Sequence, residues 1–75
     1  MERYKNLGGD SGVSAYEIGD DSITVQFTSG AVYLYTYKGA GSSNIEKMKL
    51  LAAAGKGLNS YIKRYVNKGY ESKLK

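Results

Sequence analysis

Lys56, Lys63, Arg64 and Lys68 are the residues whose type and spacing point to chemistry. Phosphate recognition needs flexible cations on one surface, and these four cluster around the polar side of a predicted helix and its entry loop. Lys47 and Lys49, on the preceding predicted helix, could extend the patch. A solvated helix face is the plain structural reading of the same run, and charge alone leaves both open. Tyrosine supplies a second ingredient. The chain has eight, and single-stranded RNA is gripped by aromatic stacking as well as by charge. Tyr33, Tyr35, Tyr61 and Tyr65 are expected in the core, which leaves Tyr4, Tyr16, Tyr37 and Tyr70 as the exposed rings.

Other chemistries lack their residues. Histidine and cysteine are both absent, which removes the usual zinc ligands, the commonest general base, the Cys/His nucleophile pair and any disulfide framework. Asp20 and Asp21 are adjacent carboxylates in a tight turn, where Asp accepts turn hydrogen bonds. Calcium would want spaced oxygen ligands of the Asp-x-Asp-x-Asp-Gly kind, which this turn does not provide. The ten glycines form neither a Gly-x-x-x-x-Gly-Lys-Ser/Thr loop nor a strand-to-helix Gly-x-Gly-x-x-Gly turn. The expectation is a non-enzymatic binding module without metal or small-molecule cofactor. RNA or another nucleic acid is its leading partner.

The elements that would position these residues must come from one small domain, since 75 residues cannot hold two cores. A hydrophobic fraction of 41% and a charged fraction of 24% lie in the globular range, so the chain should fold around a thin core. Charge is unevenly spread. Residues 1–37 sum to −3 and residues 38–75 to +7, for a net +4, and a basic half suggests a polyanionic partner. No apolar run approaches the length of a membrane span, and Met1-Glu2-Arg3-Tyr4 lacks the apolar segment of a signal peptide, so a cytoplasmic protein with no membrane partner is expected.

Residues 1–12 and 68–75 are polar and read as a mobile N-terminal arm and a flexible C-terminal tail around a single domain at 13–67. Within it, β-branched and aromatic residues predict strands over 13–18, 22–27 and 31–37, joined by the turns Gly19-Asp20-Asp21 and Thr28-Ser29-Gly30. Two registers compete at the second turn. A three-residue loop with left-handed Gly30 pairs Val25 with Tyr33 and Ile23 with Tyr35; a two-residue Ser29-Gly30 loop turns the tyrosines outward. The first is preferred because a tyrosine buries more area than a valine. Ser43 and Glu46 then form a capping box for a helix with Ile45, Met48, Leu51 and Ala52 on one stripe, ended by Gly55. A second helix from about Leu58 to Val66 places Leu58, Tyr61, Ile62, Tyr65 and Val66 on one face. The predicted fold is α+β: a three-stranded antiparallel meander with two short helices packed on one face, βββαα. Its third strand would have an open edge near outward-facing Val32 and Leu34, which makes protein–protein interaction or weak homodimerisation the alternative function.

The run Ser22-Ile23-Thr24-Val25-Gln26-Phe27-Thr28-Ser29-Gly30-Ala31-Val32-Tyr33-Leu34-Tyr35, followed by Gly55-Lys56-Gly57-Leu58-Asn59 and by Ile62 with Tyr65, resembles the KTSC domain. That family is a small module found alone in bacterial and phage-type proteins and at the C-terminus of some lysyl-tRNA synthetases, and its central mark is Tyr-x-Tyr. The likeness covers residues 14–65, with Tyr33-Leu34-Tyr35 as the matching mark. It implies inward tyrosines and, through the synthetase association, RNA binding. Where the family usually has a Val-Pro-like junction between last strand and first helix, this chain has Lys38-Gly39-Ala40-Gly41-Ser42. That loop is expected to be more flexible.

Overall fold

The computed structural model describes residues 1–9 and 12–75. Its centre is the expected meander: β2 (Val13–Ile18), β3 (Ser22–Phe27) and β4 (Val32–Thr36), antiparallel throughout. Ile23 pairs with Tyr35 and Val25 with Tyr33, so the three-residue loop sets the register. Gly30 has φ +96°, which a residue with a Cβ rarely adopts. Its N–H donates to the Phe27 carbonyl at 2.9 Å, and the Phe27 N–H donates to Ala31 at 2.8 Å. Paired residues share a face of the sheet. Ile23, Val25 and Tyr35 are therefore turned together onto the helical layer, and each is at most 2% exposed.

The sheet has five strands rather than three. Strand β1 (Glu2–Arg3) pairs with β2, and β5 (Ser72–Lys73) pairs with β4, giving the order β1-β2-β3-β4-β5. Both additions come from segments expected to be a loose arm and tail. Of the arm, residues 10 and 11 lie outside the described residues. Polar composition understated these segments because the ladder uses backbone groups and each segment needs only one anchoring side chain. Tyr4, expected on the surface, is 3% exposed, and its hydroxyl accepts from the Leu58 N–H at 3.3 Å. Glu71 donates its N–H to the Leu34 carbonyl at 2.7 Å, and its carboxylate accepts from the Thr36 hydroxyl at 2.9 Å. The Cα radius of gyration, 10.7 Å, is near the roughly 11 Å of a compact domain this long. The edge of β4 is thus paired, and Val32 is only 7% exposed, so the open, sticky edge expected there does not exist.

Three helices follow the meander. The junction expected to be a flexible loop contains α1 (Tyr37–Ala40), whose Gly39 N–H donates to the Thr36 hydroxyl at 3.2 Å. Gly41, at φ +92°, joins it to α2 (Ser42–Ala54). The capping box does not form: α2 starts two residues early, Ser43 already lies inside it, and Gly41 offers no capping side chain. The stripe is as expected, with Ile45, Met48 and Ala52 buried and Leu51 half-buried. Gly55 ends α2 at φ +79°, with the Lys5 Cβ 2.6 Å from where a Cβ on Gly55 would sit.

The last helix changes type partway. It begins as α3 (Leu58–Tyr61) and continues as a π-helical turn, Ile62–Val66, in which the Asn67 N–H reaches back to the Ile62 carbonyl. A wider i→i+5 turn advances fewer degrees per residue. Leu58, Ile62 and Val66 consequently remain on the buried side while Tyr65, expected in the core, is 62% exposed. No helix among the described residues is long and apolar enough to cross a membrane.

Candidate nucleic-acid groove

The β3–β4 loop, the π turn and the segment leading into β5 enclose an open groove of about 450 Å³. Its wall is aromatic. Phe27, Tyr33, Tyr35 and Tyr70 all line it; Phe27 and Tyr33 meet edge to face with centroids 5.6 Å apart, and Tyr33 and Tyr70 lie at 4.6 Å. Strand alternation brings Tyr33 and Tyr35 to this side, while the return of the chain at residues 69–71 adds Tyr70. The Tyr35 ring forms the base, 2% exposed. Its hydroxyl is pushed up to about 12, chiefly by burial and then by the neighbouring Tyr33 and Tyr70 phenols.

The opposite rim is basic. Lys63 and Lys68 line the groove together with Asn59 and Asn67. Among the described residues the one ion pair joins Lys49 to Glu46, so Lys63 and Lys68 have no carboxylate partner there. No Asp or Glu among the described residues lines the groove. Asn67 has φ +53° and ψ −118°, a conformation a side-chain-bearing residue adopts at a cost. The π turn and this strained residue together swing Lys63, Asn67 and Lys68 towards the aromatic wall.

The sequence-selected cations are therefore divided. Lys63 and Lys68 share the groove. Lys56 lines a neighbouring cleft of about 170 Å³ with Tyr4 and Asn59, so the two recesses meet at Asn59. Arg64 lines neither, and its guanidinium lies 5.9 Å from the exposed Tyr65 ring. Lys47 is exposed on α2. Lys49 is engaged elsewhere: it contacts Glu46 at 3.0 Å, donates to the Asp20 carbonyl at 2.8 Å and sits 5.7 Å from the Tyr37 ring centroid.

Sequence reasoning names Tyr70 among the exposed rings but misses Phe27, Tyr33, Asn59 and Asn67 as groove residues. Tyr33, expected to pack, does pack against the core and is half-buried, so that it also lines the groove. The available signal is the alternation that puts Phe27, Tyr33 and Tyr35 on one face, of which the helices bury Tyr35 fully and leave Phe27 and Tyr33 partly exposed. Comparison with family models, curated proteins and solved structures gives no match, so the functional argument rests on these residues and their arrangement.

Proposed function

We propose that this chain is a small non-enzymatic binding module that holds nucleic acid, RNA foremost, through the phosphates. The observation that carries the reading is the pair Lys63 and Lys68 on the rim of a groove that no carboxylate lines among the described residues. Two uncompensated cations facing a concave surface favour a polyanion, whose condensed counterions are released on binding. Lys56, in the adjoining cleft, extends the positive track, and the +7 balance of residues 38–75 gives it a favourable field. The likeness of Tyr33-Leu34-Tyr35 and its flanking strands to the KTSC domain adds support from a family associated with a tRNA synthetase.

Titration with single-stranded RNA at two salt concentrations tests this. Affinity should fall as salt rises, and Lys63→Gln with Lys68→Gln should flatten the log–log salt slope by roughly 1.4, at about 0.7 per phosphate contact for a single strand. Arg64→Gln should change it less, because Arg64 lies outside the groove. Absent or salt-independent binding rejects the proposal.

A further inference from the structure

Phosphate contacts explain the lysines and leave the rest of the groove unexplained. A purely electrostatic track has no use for a wall of half-buried rings, and rings needed only for packing would be covered. Phe27, Tyr33 and Tyr70 are each partly exposed in the same recess. Asn59 and Asn67 line the same recess, and their side-chain amides have no hydrogen-bond partner among the described residues. Ring faces, donor–acceptor amides and unneutralised cations are what a nucleotide's base face, base edge and phosphate require.

We infer that the groove seats one unpaired nucleobase of a single strand, against the Phe27–Tyr33–Tyr70 wall, with its adjoining phosphates at Lys63 and Lys68. This rests on the phosphate-binding reading above and specifies the state of the strand. A volume of about 450 Å³ lies within the range of about 300–1,000 Å³ typical of small-ligand sites, suited to a single base with its sugar. A base inside a duplex keeps both faces in the stack and cannot reach the rings without being flipped out. Asn59 and Asn67 are placed to hydrogen-bond the edge of the base, since an amide both donates and accepts. Lys73, with its ammonium 5.9 Å from the Tyr33 centroid, adds a cation beside the same wall.

The test uses a short labelled RNA strand, the DNA strand of the same sequence, the RNA duplex, and an abasic strand that retains every phosphate. The base-bearing single strands should bind on the order of 10- to 100-fold more tightly than the abasic strand, the range of a lost base–aromatic stack. The ratio between the RNA and DNA strands then identifies the source of the base. Tyr70→Leu, which keeps an apolar filler, should erase most of the advantage, bringing base-bearing and abasic strands to within a few-fold of each other. The chain has no tryptophan, so quenching of tyrosine fluorescence by adenosine monophosphate reports ring stacking directly. Movement of the Asn59 and Asn67 side-chain amide resonances in the same wild-type titration locates it, even if the Tyr70 variant fails to fold. Equal affinity for base-bearing and abasic strands, or for single strand and duplex, overturns this inference and leaves phosphate binding standing. No binding to any strand overturns both.

Discussion

Two corners of the molecule contain tyrosine beside lysine, and they differ in how completely the charges are satisfied. At the corner between the β2–β3 turn and α2, the Tyr37 hydroxyl donates to Glu46 at 2.6 Å, Glu46 pairs with Lys49 at 3.0 Å, and Lys49 donates to the Asp20 carbonyl. The Glu46 carboxyl is held below its ordinary range, first by the Tyr37 hydroxyl and then by Lys49, and the same hydrogen bond raises the Tyr37 phenol. That corner is closed on itself. At the groove, Tyr33 and Tyr70 contact each other, while Lys63 and Lys68 line the same space with no carboxylate beside them among the described residues. The same residue types make a clamp in one place and an unfilled recess in the other. Residue type alone does not mark a binding surface; unsatisfied partnership does.

The largest expected effect falls at the base of the groove. Tyr35→Ala should cost about 3–5 kcal/mol, as large aromatic truncations in a core do, read as a shift of the urea midpoint. A small loss would show that the groove base is not part of the core and break the distinction between wall and base.

The second effect is alkaline. Tyr35 remains neutral in the fold up to about 12, against an ordinary value of 10.0. Its contribution to stability is complete below pH 10 and is lost as pH rises from there through about 12, because the unfolded phenol ionises first. Urea midpoints across this window should fall, and phenolate absorbance should show a late component that Tyr35 shares with Tyr37, also raised, and that Tyr35→Phe reduces. Tyr35→Phe should lessen the fall.

Asn67 gives a smaller effect of opposite sign. Asn67→Gly relieves a positive φ whose cost is on the order of 1–3 kcal/mol, offset in part by the greater freedom of glycine in the unfolded chain. A net gain of up to about 1 kcal/mol in the melting equilibrium is expected, together with weaker ligand binding if the Asn67 amide holds the base. Gain without that loss would assign the strain to the fold alone.

Glu46 is the smallest and sharpens the closed corner. Its folded carboxyl lies below the ordinary 4.5, so its contribution is present above that value and disappears as pH falls through the lowered one. Glu46→Gln should remove that part of the acid limb of the stability profile, with nucleic-acid binding at neutral pH unchanged. A change in binding would join the two corners electrostatically.

Alternation and turn chemistry carried the centre of the fold. Ile23, Val25 and Phe27 opposite Tyr33 and Tyr35, with Gly30 at the third loop position, decide the register locally, because a slip of one residue would turn both tyrosines to the other face. Gly55 ended α2 for an equally local reason. Strands β1 and β5 were not legible, since two-residue strands use backbone hydrogen bonds that leave no side-chain period. Tyr65 was misplaced because a 3.6-residue period was carried through a turn that closes at i→i+5, and that switch depends on which neighbours pack against Ile62 and Val66. Tyr4 was misplaced because its burial depends on Leu58, far away in sequence.

By itself, the sequence determined the central hairpins, the buried stripe of α2, the absence of His and Cys chemistry, and the concentration of positive charge in the second half. Each depends on local periodicity or on counting. Tertiary structure alone decided that Lys63 and Lys68 share a groove while Lys49 is neutralised and Arg64 points elsewhere, and that Tyr70 returns to meet Tyr33. Those are distances between residues remote along the chain, set by how the π turn and the fifth strand close around the sheet, and no periodicity encodes them.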